Sequence, residues 1–189
     1  MDESLTKIRH DRSVRDFPDL NFQEDEYIEF AFKRAHICYM MIIIGTAIAI
    51  ILILLVFLAM LLADVDLGDT GRNFVFIILG TLLVFSILNA FIALRIYNGN
   101  RLYITNHRVI QKIMTAPTVY STNIIDLASV EDASYHQGGL FATLFHFGTL
   151  RLSTIGDETT YTFKYSDISS KELEAVTKLI TDAKKEDKD

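Results

Sequence analysis

Tryptophan is absent from this chain, cysteine occurs once and proline twice. A single thiol, Cys38, cannot close an internal disulfide or build a multi-cysteine metal site. It reads as a small apolar side chain, buried or lipid-facing, with palmitoylation near a membrane boundary as the alternative. Without tryptophan, Tyr39 and Tyr97 would have to serve as interfacial aromatics. The five histidines, His10, His36, His107, His136 and His146, are scattered and never make H-E-x-x-H or another ligand spacing. His136 and His146 flank a glycine-rich segment and read as structural or surface residues rather than shared ligands. No P-loop, G-x-G-x-x-G or G-x-S-x-G occurs, and Gly138-Gly139 alone marks a turn. These gaps leave no catalytic residue, metal site or cofactor to expect. Basic charge is scarce as well: 24 acidic residues stand against 18 basic ones, a net charge of -6. That excess argues against nucleic acid as a partner, because binding phosphate needs many Lys and Arg. Nor is there a basic cluster of the kind that holds anionic lipid by charge alone.

What is present is an oily block inside a polar chain. At 189 residues the length allows one or two small domains. Residues 37–63 and 74–94 contain no acidic or basic residue. The first run has 27 positions, 16 of them Ile, Leu, Val or Phe; the second has 21, with 15 of those types. As a helix the first would be about 40 Å long, more than the ~30 Å hydrocarbon core, so it must tilt or bury its ends in headgroups. Each Ile, Leu, Val or Phe favours insertion by roughly 0.3–0.6 kcal/mol, so each run favours the membrane by several kcal/mol. Runs this long exceed ordinary core elements. A cleaved signal peptide does not fit, because a charge-rich stretch of 36 residues precedes the first run and the run is too long. The expected element is a transmembrane helical hairpin, 37–63 and 74–94.

Between the runs, residues 64–73 read DVDLGDTGRN, with Arg72 as the one basic residue. Lys33 and Arg34 precede the hairpin, and Arg95 and Arg101 follow it. The positive-inside rule puts both termini in the cytoplasm and the short loop outside. Asp64-x-Asp66-x-Gly68-Asp69 faintly resembles a calcium loop, but its glycine and third acid are exchanged and no glutamate follows, so a solvated turn is expected. Within the runs, Gly45, Ala49, Gly80 and Asn89 are small or polar and suit helix–helix packing, in the hairpin or between two copies. A transport pathway would want charged residues or broken helices at mid-depth, and none is present.

Residues 1–36 are read as a polar amino-terminal arm and pre-membrane segment, with 1–25 disordered or loosely held. The stretch EYIEFAFKR from Glu26 alternates and is either a strand or the entry to the first helix; pattern alone leaves open whether it joins a sheet. After Arg95 the apolar period becomes two, with turn signals every 8–12 residues, the mark of a small antiparallel β domain over 97–189. Arg101–Thr105 and Arg108–Met114 are short strands joined at Asn106-His107, where Asn tolerates a left-handed turn. Pro117 breaks the next connection. Further strands are expected over Thr118–Leu127, Ser129–Gln137, Thr149–Ile155 and Tyr161–Tyr165, with a turn at 156–158. In the last, Tyr161, Phe163 and Tyr165 share one face. Ser169-Ser170-Lys171-Glu172 is a capping box, and Leu173, Val176, Leu179, Ile180 and Ala183 form one helical stripe.

Tyr103-Ile104-Thr105-Asn106-His107-Arg108-Val109-Ile110 resembles, from Thr105 on, the T-N-x-R-[VIL]-I opening of bacterial pleckstrin-homology-like (PH-like) domains. The segment Gln137-Gly138-Gly139-Leu140, then Leu144-Phe145-His146-Phe147-Gly148-Thr149-Leu150, resembles the middle of the same family. The final strand and helix match its ending. In its membrane-anchored form two transmembrane helices precede the domain, so the resemblance covers roughly residues 26–183. It implies a barrel of two sheets closed by a carboxy-terminal helix, and brings no catalytic residue.

Two sets of side chains are candidate contacts. Leu140, Phe141, Leu144, Phe145 and Phe147 are too many apolar residues for one face of a short turn. They either pack into the barrel end or form an exposed patch for a partner or membrane. Arg101, Arg108 and Lys112 are a weaker candidate set for phosphate or lipid headgroups, with ordinary surface strand positions as the plainer reading. The expected protein is a noncatalytic, membrane-anchored binding or assembly module, multi-pass in the cytoplasmic membrane. Its partners would be the bilayer and either another protein or copies of itself. The alternative is an accessory or sensory membrane subunit that binds a lipid or small ligand, for example beside a transporter.

Overall fold

The computed structural model describes residues 3–62, 68–154 and 160–186. The expected turn at 156–158 and the first acids of the faint calcium loop lie outside the described residues. The chain divides into two compact units, residues 1–35 with 98–189, and residues 36–97.

The second unit is a helical hairpin of α2 (His36–Leu62) and α3 (Gly68–Gly99). Both are long and apolar enough to cross a membrane. Helix α3 has 32 residues, so it extends beyond the uncharged run at both ends, and residues 68–73 are helical rather than loop. Arg72 pairs with Asp69 one turn earlier, 3.0 Å apart, near the amino-terminal end of α3. Tyr39 lies against Tyr97 at one end and Phe57 against Phe76 at the other, with ring centroids 5.9 Å and 5.3 Å apart. Leu79 is the one buried residue among those described on the two helices, so nearly all their Ile, Leu, Val and Phe surface faces outward. In water that surface would cost about 25 cal/mol per Å², and in lipid it costs nothing.

The first unit is a β sandwich. One sheet has the order β1 (Ile28–Lys33), β2 (Arg101–Thr105), β3 (Arg108–Ala116), β4 (Val119–Asp126); the other has β5 (Val130–His136), β6 (Gly148–Thr154), β7 (Thr160–Ser166). All neighbours are antiparallel. A bridge between Arg34 and Ser166 ties the β1 edge to the β7 edge. The core takes alternate residues from both sheets: Leu102, Ile104, Val109 and Ile125 face Leu150, Leu152 and Phe163. Gln111, buried, donates from Nε2 to the Thr162 carbonyl at 2.8 Å and joins the sheets. Helix α5 (Ser170–Glu186) closes the sandwich with Val176 and Ile180. Its capping box forms: Glu172 accepts from the Ser169 N–H at 2.8 Å and the Ser169 hydroxyl accepts from the Glu172 N–H at 3.3 Å. The two long helices, two antiparallel sheets and carboxy-terminal helix are compatible with a PH-like fold.

Four expectations are corrected. The arm is ordered: α1 (Glu3–Asp16) is followed by a segment whose Phe17, Leu20 and Phe22 pack on Tyr103 and Ile110, the outer face of the first sheet. Its polar composition hid three well-spaced apolar residues that have a partner only in the folded sheet. Strand β1 pairs with β2, from Ile28 opposite Thr105 to Lys33 opposite Arg101. The hairpin therefore does not precede the β unit. It connects that unit's first strand to its second. Asn106 is not left-handed; instead its side-chain oxygen accepts from the Tyr27 N–H at 3.0 Å and its amide donates to the Asp25 carbonyl at 3.1 Å, with Asp25 taking the positive φ of 64°. Finally, Tyr165 leaves the face of Phe163, because its φ of 60° breaks the alternation and turns the ring outward.

Candidate functional site

Among the described residues, the β unit's interior offers no binding chamber. No water-sized space remains between Leu102, Val109, Leu150 and Phe163. A group of three or more His, Cys, Asp or Glu able to hold a metal is also absent among the described residues. What the unit can offer lies on its surface.

The segment between β5 and β6 folds into the single-turn helix α4 (Leu140–Leu144). Gly139 starts it with φ 97° and ψ 160°, a conformation only glycine enters freely. Its carbonyl accepts from the Thr143 N–H at 3.1 Å, and the Phe145 N–H donates to the Phe141 carbonyl at 3.0 Å. Gly148 returns the chain to β6, and a Cβ there would sit 2.6 Å from the His136 carbonyl oxygen. The turn is thus pinned at both ends by glycine. Ala142 is its one buried side chain. The large ones point out: Leu140 is 81% exposed, Phe141 69%, Leu144 64% and Phe145 43%. Phe147 is half-buried against Tyr165, with centroids 5.9 Å apart, and the outward-turned Tyr165 extends the patch. Of the two readings of this segment, the structure shows an exposed patch of four of the five residues, because a five-residue helix whose buried side is one alanine turns Leu140, Phe141 and Leu144 outward.

The basic set is split. Arg101 and Lys112 stand opposite each other across β2 and β3, both half-buried, and each donates to a backbone carbonyl, Arg101 Nε to Asn98 at 3.3 Å and Lys112 Nζ to Asp19 at 3.4 Å. Arg108 is at the other end of the strand and is already occupied. Its Nε and Nη2 each donate to the Glu26 carboxylate at 2.8 Å, and Nη2 also donates to the Asn21 carbonyl. Glu26 has no exposed surface and accepts further bonds from Thr105 Oγ1 and the Gln23 N–H, both 2.8 Å. Burial pushes the Glu26 carboxyl up, but the Arg108 bond, the Gln23 and Thr105 bonds and the Arg108 charge outweigh it and hold the pKa below the usual carboxylate value. Arg108 therefore serves the fold, and no three-cation cradle exists.

In the hairpin, Gly45, Ala49 and Asn89 line one open groove of about 330 Å³, together with Thr46 and Ser86. Gly80 is not among its lining residues, and a Cβ at Gly45 or Gly80 would meet nothing within 4 Å. Neither glycine is needed for close approach of α2 and α3. Thr46 returns its hydroxyl to the Ile42 carbonyl at 2.8 Å, whereas Asn89 is exposed.

One surface was not singled out from sequence. Strand β4 is at the end of its sheet, and Val119, Tyr120 and Ile124 are each exposed over more than half of their area. Its signal is the run Val119 to Ile125, which contains no charge, Gly or Pro.

No family model matches the chain, and no curated protein matches it. Among solved structures the chain is similar to a DUF1696 family protein with a pleckstrin-homology domain from Shewanella loihica PV-4. The identity is 14%, over 45% of this chain and 70% of that one, with a TM-score of 0.33.

Proposed function

We propose that this chain is a noncatalytic, membrane-anchored assembly module whose β unit, PH-like in its sequence motifs, presents an apolar contact surface to a protein partner at the cytoplasmic face of the cell membrane. The observation that carries the reading is the exposed patch of Leu140, Phe141, Leu144 and Phe145 on a unit whose own core is filled. Contiguous apolar surface of this kind marks contact sites. The hairpin confines the unit to two dimensions, which raises its effective concentration for other membrane proteins without any new contact. Lys33, Arg34, Arg95 and Arg101 against the lone Arg72 support cytoplasmic termini. The test is chemical crosslinking of the full chain in native membranes, comparing wild type with Leu140→Ser/Phe141→Ser/Leu144→Ser. A discrete adduct that disappears in the variant, with thermal unfolding unchanged, supports the reading; an unchanged adduct pattern overturns it.

The groove lined by Gly45, Ala49 and Asn89 favours a second reading, an accessory subunit that holds a lipid or small ligand between its helices. An exposed amide within the hydrocarbon has no water to bond and gains from a polar headgroup or ligand. Mass spectrometry of lipids retained by wild type but lost from Asn89→Leu would support this reading. Identical lipid profiles would remove it.

A further inference from the structure

Three of the four sheet edges in the β unit are guarded. The β1 and β7 edges meet through the Arg34–Ser166 bridge and the Ala35 N–H bond to the Tyr165 carbonyl. The β5 edge has α5 packed over it, and Lys184 Nζ donates to the Glu131 carbonyl at 2.9 Å. Strand β4 has β3 as its only strand neighbour, and among the described residues no backbone group of its eight residues bonds elsewhere. Natural sheets protect such an edge with Lys, Pro or a bulge, because an unpaired row of N–H and C=O groups templates another strand. From Val119 to Ile125 this edge carries no charge and no proline.

We infer that β4 is a self-association edge, pairing antiparallel with β4 of a second copy of this chain about a two-fold axis at Thr122. This rests on the reading of the chain as an assembly module and names a partner for a surface distinct from α4. The strand is chemically palindromic about that residue. Antiparallel pairing there puts Tyr120 opposite the partner's Ile124, Ser121 opposite Asn123 and Val119 opposite Ile125, with the two Thr122 side chains facing each other. Tyr120 and Ile124 lie on the outer face of the sheet, opposite in direction to the buried Ile125, so the aromatic–β-branched pair forms twice on one surface. Centring the pair on Asn123 would set Tyr120 against Asp126, and centring it on Ser121 would set Tyr120 against Thr122 and Ile124 against Thr118. Charge agrees with the same register. The two Asp126 carboxylates end about 27 Å apart, and the two Lys112 ammonium groups, one strand in from the joint, are separated by three strand spacings, about 14 Å. Both separations exceed the screening length of about 8 Å at physiological salt. A parallel pairing would instead put the Asp126 side chains side by side.

The test uses the full chain in native membranes with Cys38→Ala as background. Thr122→Cys is expected to form a disulfide-linked or short-maleimide-linked dimer. Tyr120→Cys and Ile124→Cys should each fail alone, since like positions lie about 14 Å apart, yet link when the two are co-expressed. Adding Tyr120→Lys and Ile124→Lys to Thr122→Cys should abolish the dimer, because each lysine then opposes a lysine on an exposed site that the fold does not need. No dimer at Thr122, equal dimer from all three single sites, or a dimer unaffected by the lysines would each overturn the inference. The α4 serine variant keeps the two readings separable. No Thr122 link, together with an adduct that the α4 serine variant abolishes, defeats the edge alone; a Thr122 link, together with an adduct pattern that the α4 serine variant leaves unchanged, defeats the α4 reading alone.

Discussion

Glu26 is a carboxylate with no exposed surface, held by Arg108, Thr105 and the Gln23 N–H. Removing one partner of a buried ion pair leaves the other uncompensated, at a cost of about 3–5 kcal/mol. Glu26→Ala is therefore expected to lower the unfolding midpoint of the β unit far more than removal of the exposed Arg9–Glu29 pair, worth about 0–1 kcal/mol. Thermal unfolding of the detergent-solubilised chain reads both. The pH dependence has a defined sign. The folded pKa of Glu26 is depressed below the unfolded value of about 4.3, so the unfolded chain binds the proton first as pH falls. The pair's contribution is complete above that value and is lost as pH drops through the folded pKa. Wild type should lose more stability below about pH 4.3 than Glu26→Gln, which has no carboxylate left to titrate there; parallel curves would contradict this assignment. The pair also shows why the sequence offered Arg108 as a phosphate ligand: its partner lies 82 positions earlier, in a stretch read as either a strand or the entry to the first helix.

At the scale of elements, local signals carried furthest where the chain's own neighbours set the structure. The capping box and the stripe Leu173, Val176, Leu179, Ile180, Ala183 specify α5 by spacing alone, and the structure forms both. Ile180→Ala should cost about 2–5 kcal/mol, because it empties a filled core site, and Ser169→Ala about 1 kcal/mol, because it removes one cap. A reversed order in thermal unfolding would mean that α5 is not seated in the core. The strands β2, β3, β6 and β7 were legible from alternation, within a residue or two of their ends. The arm was not, since α1 is mostly polar, its Leu5, Ile8 and Val14 form no single stripe, and Phe17, Leu20 and Phe22 follow no period. Their order comes from the outer face of β2 and β3, a long-range partner that composition cannot show. Deleting residues 1–25 is expected to expose Tyr103 and Ile110, lower the melting temperature and raise binding of an apolar dye. The α4 patch was legible as a set of residues but not as an exposed one, because exposure depends on the single-turn geometry pinned by Gly139 and Gly148.

For the whole molecule, the connection matters more than any one element. Period and hydropathy separate a hairpin from a β domain, but they cannot say that the domain's first strand lies on the far side of the hairpin. Strand pairing does: Lys33 stands opposite Arg101, although a two-helix excursion separates them in sequence. Orientation can be read independently, by labelling with an impermeant maleimide in a Cys38→Ala background. Thr70→Cys should label from outside intact cells and Ser170→Cys only after lysis; Thr70 is chosen over Gly68, whose φ of 64° disfavours a side chain. The reverse pattern would overturn the cytoplasmic placement. The connection makes a second demand. A fragment spanning residues 98–189 lacks β1, so it loses the strand that covers the β2 edge and the bridge to Ser166. That fragment is expected to aggregate or remain unfolded. Replacing residues 36–97 by a short Gly/Ser turn joins Ala35 to Asn98, whose strands are already neighbours, at a loop-closure cost that is small for so short a link. The joined unit should be recovered without detergent and unfold cooperatively, while the fragment alone should not. If the fragment folds as well as the joined unit, β1 is an accessory to the sheet, and the hairpin is an anchor appended to a domain rather than a loop grown within one.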